Sequence, residues 1–448
     1  MSGDEVTELY TAAAAAATGW RNASALDRAQ VMVAAAADLR ARRDEIVEDL
    51  IAENGKTRAE ATVEVTKSAD FFDYYASLAR QPYGNLLVDA RPGTQTSARV
   101  EPVGIVCLIT PWNDPLLTPS RKLAPALIAG NVVVLKPAAE TPMVAVHLAR
   151  SLQNAGLPAG VLGLAIGKIS AIEAALLRDP RLNAVSFTGS TAVGYQLKQR
   201  LADRNVRLQT EMGGKNASVV LADADLATAI STVAAASFGQ AGQRCTATSR
   251  VVVDRSVAEE FITGLVSAGQ NVVVGPGTDP STTMGPLVSD KHRNDVLGHL
   301  ERASADGATV RLGGGPPEND HLKQGCYVAP TVLTDVSPSM SIWRDEVFGP
   351  VVAIQIVDGF DAAVAAANDS DYGLAAAIFT TNLERAYQFA DRVDTGQVSV
   401  NLPTSGWDVH MPFGGFGDSG SPFKEQGSDA LRFYTRVKTV AIRYDTSS

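Results

Sequence analysis

The chain has 448 residues, 45% of them hydrophobic and 20% charged, which is ordinary globular composition, and its length calls for more than one hydrophobic core. A net charge of −10 argues against a nucleic-acid or anionic-membrane partner and still permits a local basic pocket. The acidic start lacks the basic and apolar regions of a secretory signal, no apolar run approaches the roughly 18 residues of a membrane helix, and three cysteines suit a reducing compartment, so the cytoplasm is expected.

Residues 4–78 are rich in Ala, Glu, Arg and Leu at helical spacing, with a break at Glu53 to Gly55, and predict a run of helices. The six alanines from Ala12 to Ala17 are expected to form an interior helical face. From residue 81 to 100, Pro82, Gly84, Pro92 and Gly93 predict an irregular or hairpin excursion. Residues 103–210 then alternate apolar runs with helical stretches, placing strands near 103–109, 131–135, 161–166 and 184–187, the signature of parallel βαβ units. Ligands bind such sheets at the carboxyl ends of the strands, which directs attention to 110–113, 136–139, 167–170 and 188–190. The usual G-x-G-x-x-G fingerprint is absent. Beyond Gly214 a second αβ-rich segment runs to about residue 405, with a glycine turn at 313–317 and an acidic stretch at 345–350. No repeat or long linker separates the halves, so a site between them is expected.

The stretch from Phe238 to Arg250 sets Cys245 among Gln243, Arg244, Thr246 and Thr248, polar neighbours that do not suit a core position. Gly239 and Gly242 permit unusual backbone geometry and close approach of a ligand to main-chain N–H groups, and Arg244 could favour the reactive thiolate. Cys107, in the apolar run 103–109, and Cys326 read as packed cysteines.

This stretch resembles the cysteine motif of the aldehyde dehydrogenase superfamily, and Leu208 to Asn216 resembles its glutamate motif, with Met212 in place of the usual leucine. Further matches run from Asn54-Gly-Lys56 to Pro412-Phe-Gly-Gly415, so the resemblance covers almost the whole chain. It implies an α/β fold with a variant Rossmann cofactor domain (1–80 and 101–212), an α/β catalytic domain (213–408) and a small β oligomerisation arm (81–100 and 425–448). The arm would pair with a C-terminal strand near 437–443 and join a homodimer or homotetramer.

The resemblance also implies roles. Cys245 would attack an aldehyde, Asn113 would donate to the resulting oxyanion, and Glu211 would activate the water that cleaves the thioester. Relatives that pass the acyl group to coenzyme A lack that glutamate, so Glu211 points to hydrolysis. The cofactor would be NADP or NAD, held by Ile109, Trp112, Lys136, Ala139, Lys168, Gly189, Ser190, Met212, Glu346 and Phe348. Ala139 replaces a glutamate of many NAD users and, with Lys168 nearby, favours NADP, although Glu140 could swing back and restore NAD preference. The substrate pocket would be polar, with Asp114, Thr118, Arg121 and Arg244 beside Trp407 and Phe413. Arg121 matches the carboxylate-binding arginine of succinate-semialdehyde dehydrogenases, while Gly239 stands where their second arginine would be. Two alternatives stand open: Arg244 compensates for it, or Asp114 neutralises Arg121. A carboxylate-bearing semialdehyde is the expected substrate; a neutral polar or aryl aldehyde, or a non-catalytic member of the fold, is the alternative.

Overall fold

The computed structural model describes residues 1–81 and 84–444. Pro82, Tyr83 and residues 445–448, which belong to the expected oligomerisation arm, lie outside that range. The chain opens with four helices, Gly3–Asn22, Ala25–Ala41, Arg43–Asn54 and Arg58–Ser77. Three of them begin on capping boxes, in which Ser2, Ser24 or Thr57 exchanges hydrogen bonds with an acid three residues on. The expected break at 53–55 falls where Gly55 ends the third helix at φ 81°. The alanine run departs from expectation: Ala13 alone is buried, Ala16 and Ala17 are half-buried, and the others are exposed. Alanine's helix propensity holds there without burial, because the first helix packs on the domain by one narrow stripe.

Strands Ile105–Ile109, Val132–Lys136, Leu162–Leu164, Leu182–Thr188 and Arg207–Glu211 form a five-stranded sheet. All its pairings are parallel, with 105–109 central between 132–136 and 182–188. Helices cover such a sheet on both faces, which is why its inner strands read as continuous apolar runs. Strand order reverses about Ile105–Ile109, so the chain leaving Ile109 crosses the crevice where parallel sheets bind ligands. Trp112, Asn113 and Asp114 lie on that exit.

A second sheet has seven strands in the order Thr309–Leu312, Thr331–Thr334, Val351–Val357, Thr248–Asp254, Asn216–Val220, Ala375–Phe379 and Gln397–Val400, antiparallel only at its first pair. The chain leaves the first sheet at Glu211 and enters the second at Asn216, while Cys245 lies just before the neighbouring strand Thr248–Asp254. The carboxyl end of one sheet therefore faces the amino end of the other. Each sheet has its own core: one gathers Tyr10, Phe72, Leu108, Val133 and Val185 with Phe433 and Tyr434, the other Val252, Phe261, Leu333, Trp343 and Phe379.

The expected excursion is a hairpin of Gly84–Leu87 and Thr94–Pro102, and the second strand pairs antiparallel with Thr435–Arg443 along its length. Leu86, Val437 and Ile442 of this small sheet, and Val88 just past its first strand, are exposed. Cys107 is fully buried, whereas Cys326 is only half-buried, with its thiol 3.4 Å from Asp290 Oδ1. The packed-core expectation fails for Cys326 because it lies in a loop. Among the described residues no helix is long and apolar enough to cross a membrane.

Candidate active site

Cys245 sits on a turn that few residues could form. After helix Leu226–Phe238 the backbone passes through left-handed conformations at Gln240 (φ 52°), Ala241 (φ 53°) and Gly242 (φ 68°). A Cβ at Gly242 would lie 2.0 Å from the Gly349 carbonyl oxygen, so glycine is required there. Gly239 differs from expectation, since φ −55° is open to any residue. The two non-glycine left-handed residues cost on the order of 1–3 kcal/mol each and need outside support. Glu60 Oε1 accepts from Gln240 N at 2.7 Å, Gln243 Nε2 donates to Gln240 O and Pro286 O, and Asn216 Nδ2 donates to Cys245 O at 2.7 Å. Burial pushes the Cys245 thiol far up, with Arg121 opposing and Asp114, Glu346 and Glu425 adding to the rise. Arg121 is thus the foremost cation favouring the thiolate.

Two cavities meet at this thiol. The larger, about 550 Å³, is bounded by Trp112, Asn113, Thr118, Gly189, Ser190, Glu211, Met212, Glu346 and Phe348. The smaller, about 240 Å³, is bounded by Arg244, Trp407, Gln240 and Gln426 among others. Cys245, Asp114, Arg121 and Phe413 border both. Thr118, expected with the substrate residues, lines the larger cavity only, because the start of helix Leu117–Ile128 turns it that way. Ile109, Lys136, Ala139 and Lys168 lie outside both walls. Lys136 is buried with Nζ 2.5 Å from Pro137 O, Ala139 is exposed, and Lys168 is exposed ahead of helix Ile169–Arg178.

Glu211 is buried, Oε2 has no hydrogen-bond partner, and Oε1 lies 3.4 Å from Gln209 Nε2. Burial, then the charge of Glu425, pushes its carboxyl well above the usual range, while Lys122, Lys424 and Arg121 pull it back. Gly414 makes room for it, since a Cβ there would lie 2.5 Å from Glu211 Oε1. Asn113 Nδ2 donates to Gln243 O at 3.1 Å, which ties the strand exit to the cysteine turn.

Arg121 does not pair with Asp114. Its Nη1 lies 3.0 Å from Glu425 Oε2, while Glu425 Oε1 accepts from Lys122 Nζ and Thr188 Oγ1 at 2.6 Å. Burial opposes ionisation of Glu425, but Lys122 and Arg121 outweigh it and hold the carboxyl below its usual range. Asp114 Oδ1 instead meets Lys56 Nζ at 2.7 Å and Gln240 Nε2 at 3.0 Å. Burial works against this carboxylate too, and Lys56 and Arg244 bring it down to about 2. Sequence reasoning missed Glu425, Lys122, Gln240 and the role of Lys56. Lys56 and Gln240 carried a signal, as parts of the matched Asn54-Gly-Lys56 segment and of the stretch from Phe238 to Arg250.

The larger cavity suits a nicotinamide dinucleotide. Ser190 precedes helix Thr191–Arg200 but its side chain does not cap it, leaving first-turn N–H groups for an anion. A Cβ at Gly189 would lie 2.6 Å from the Phe187 ring, and one at Gly213 would lie 2.2 Å from Glu346 Oε2, so both glycines keep the wall thin. Glu346 accepts from Gly214 N at 2.9 Å, and burial pushes its carboxyl up to about 7. Trp112 meets both Phe348 and His292 edge-on at 5.4 Å, and His292 Nε2 lies 2.8 Å from Phe348 O, an aromatic corner whose histidine was not foreseen.

The model of the aldehyde dehydrogenase family matches residues 1–440. The chain is 45% identical over 442 residues to an alpha-ketoglutarate semialdehyde dehydrogenase of Haloferax volcanii, covering 98% of this chain and 91% of that protein. It is 38% identical over 440 residues to a 2,5-dioxopentanoate dehydrogenase of Saccharolobus solfataricus, covering 98% and 91% respectively. Its fold is similar, at TM-score 0.96 and 32% identity, to the crystal structure of betaine aldehyde dehydrogenase from Staphylococcus aureus in complex with NAD+, covering 99% of this chain and 88% of that one. With the family matched over nearly the whole length and the fold superposing on a solved member, this chain belongs to the aldehyde dehydrogenase family and is an NAD(P)-dependent aldehyde dehydrogenase.

Proposed function

We propose that this enzyme oxidises a short semialdehyde bearing a carboxylate, foremost 2-oxoglutarate semialdehyde (2,5-dioxopentanoate), to the dicarboxylic acid. The two curated relatives act on that one compound under its two names. The observation that carries the reading is the position of Cys245 between a cavity suited to a dinucleotide and a smaller one that Arg121 and Arg244 border beside Glu60, Glu64 and Asp114, acids already held by Gln240 N and Lys56.

Cys245 gives up its thiol proton to water, its Sγ bonds to the aldehyde carbon, and the π pair of the carbonyl moves onto the oxygen, which takes the negative charge. Asn113 Nδ2 and the Cys245 N–H stabilise that oxygen; losing one such donor costs ~2.7–4 kcal/mol. The bound nicotinamide supplies the acceptor for the hydride that leaves this carbon. Glu211, whose Oε2 has no other partner, takes a proton from the water that attacks the thioester, and the C–S bond breaks to release the acid. Lys122 and Arg121 keep Glu425 charged beside Glu211, which holds the base at high proton affinity. Ser190, Gly189, Glu346, Trp112 and Phe348 hold the cofactor.

NADP serves at least as well as NAD, because Ala139 places no carboxylate where a 2′-phosphate would lie. We assign residues 1–80 and 101–212 to cofactor binding, 213–408 to catalysis and 81–100 with 435–443 to assembly; the arm expected from 425 starts too early, since Glu425 meets Arg121 and Lys122 and Phe433 and Tyr434 pack in the core of the first sheet. Leu86, Val88, Val437 and Ile442 support the last assignment, since an exposed apolar sheet edge is covered in a dimer or a tetramer of dimers in the cytoplasm. Sedimentation at micromolar concentration tests the assembly; a monomer refutes it.

The function is tested by following reduction of NAD and NADP with 2-oxoglutarate semialdehyde, succinate semialdehyde and butanal. Preference for the two anionic aldehydes, abolished in Cys245→Ser, is expected. Preference for butanal would refute the substrate class.

A further inference from the structure

Resting on that reading of the substrate, we infer that Arg244, seated in the space Gly239 leaves and oriented through Gln240, is the side chain that grips the distal carboxylate of the aldehyde. Arg121 is the more obvious candidate, and its surroundings argue against it. Its Nη1 is held at 3.0 Å by Glu425, a carboxylate fully shielded from solvent, and its guanidinium lies over the Phe413 ring at 4.8 Å and the Phe71 ring at 5.7 Å. Although its Nε has no partner, a substrate carboxylate arriving there would stand against Glu425, which Lys122 and Arg121 together keep charged, and would be repelled by it. Asp114 is held by Lys56 at 2.7 Å, a cation it shares with Glu64, and makes no direct ion pair with Arg244.

Arg244 stands differently. Its Nε donates to Gln240 Oε1, and Gln240 Nε2 donates to Asp114 Oδ1 at 3.0 Å. With its nitrogen turned to a carboxylate and its oxygen to a guanidinium, the Gln240 amide has one orientation. Asp114 thereby orients Arg244 through a neutral spacer without touching it. Among the described residues Arg244 makes no ion pair and no hydrogen bond through either Nη, so its outer edge is free for the two-point contact a carboxylate prefers. Arg244 and Cys245 are neighbours in sequence and border the same cavity of about 240 Å³, which favours a short chain between carboxylate and carbonyl.

Gly239 is the second, independent observation. It needs no special backbone freedom at φ −55°, yet the position carries no side chain, and Arg244 Nη1 lies 3.8 Å from where a Cβ would be, with nothing else within 4 Å. The missing side chain leaves the guanidinium its place. A bulky residue there would displace Arg244 without straining the turn.

The test compares kcat/KM for succinate semialdehyde and butanal across variants whose folding is checked by thermal melting. In Arg244→Gln, KM for succinate semialdehyde should rise about 10- to 100-fold, the range of a charged hydrogen-bond pair, with butanal little changed. Arg244→Lys should restore part of the selectivity. Gly239→Leu, which crowds the guanidinium, and Gln240→Glu, which sets a carboxylate against it, should each lose it. The inference is overturned if Arg244→Gln lowers both substrates alike, or if selectivity survives that change and vanishes in Arg121→Leu. Absence of any preference for succinate semialdehyde in the unmodified enzyme would instead remove the proposed substrate class, and this inference with it.

Discussion

Two charged clusters flank Cys245, and they differ in how charge meets charge. In the inner one, Arg121 and Lys122 touch Glu425 directly, out of solvent, with Glu211 nearby. In the outer one, Lys56 meets Glu64 and Asp114 directly, one cation shared by two carboxylates, but Arg244 is reached only through the Gln240 amide. Direct buried pairing fixes a proton-holding site and leaves little capacity for a ligand. A neutral spacer orients a cation and leaves its charge available.

The sharpest way to break the comparison is to remove the acid at the centre of the inner cluster. Glu425→Gln strands two buried cations and should lower unfolding free energy by about 3–5 kcal/mol in urea, the usual loss when one member of a buried pair is deleted. Arg244→Gln, which strands no carboxylate, should cost about 1 kcal/mol or less. Equal losses would erase the distinction between the clusters.

Next in size is the base. Glu211→Gln should leave one rapid turnover of reduced nicotinamide followed by steady turnover slowed about 100-fold or more, read by stopped flow. The pH dependence follows from its raised carboxyl. Hydrolysis needs the ionised form, so the deacylation rate should climb with pH through a midpoint well above the ordinary carboxylate range. For stability the sign is opposite. A group whose folded pKa is raised contributes stability below its unfolded pKa and loses it as pH rises through the folded value. Relative to the unmodified protein, Glu211→Gln should therefore melt higher as pH increases.

A smaller effect probes the thiol shared by both cavities. Because burial raises the Cys245 thiol, iodoacetamide labelling should be slow at neutral pH and accelerate as pH rises, and Arg121→Leu should slow it further by removing the cation that favours the thiolate. The smallest concerns Ala139, at the proposed position of a 2′-phosphate. Ala139→Glu should shift preference toward NAD by about 10-fold, the equivalent of ~1.4 kcal/mol, measured by titrating each reduced cofactor.

Much of this molecule is legible before it is folded. The βαβ alternation marks the first sheet to within about two residues at most strand starts, since burial on both faces forces continuous apolar runs. Leu162–Leu164 is shorter than expected because an edge strand has one partner to pair with. Cys245, Asn113 and Glu211 stand out because each lies in a short motif at a strand end or turn, where local residue types limit what the backbone can do. Charge partners obey no such local rule. Arg121 reads equally well as a partner of Asp114 or of a substrate, and the carboxylate it meets lies 304 residues away. Any acid can neutralise any base on paper; which one reaches a buried guanidinium depends on how the C-terminal segment packs over the first sheet. The residue types needed for thiol chemistry follow from the amino-acid sequence, whereas the assignment of Arg121 to Glu425, of Asp114 to Lys56 and of an unpartnered guanidinium edge to Arg244 follows only from tertiary packing, because desolvation makes each buried charge take the partner that geometry brings within about 3 Å.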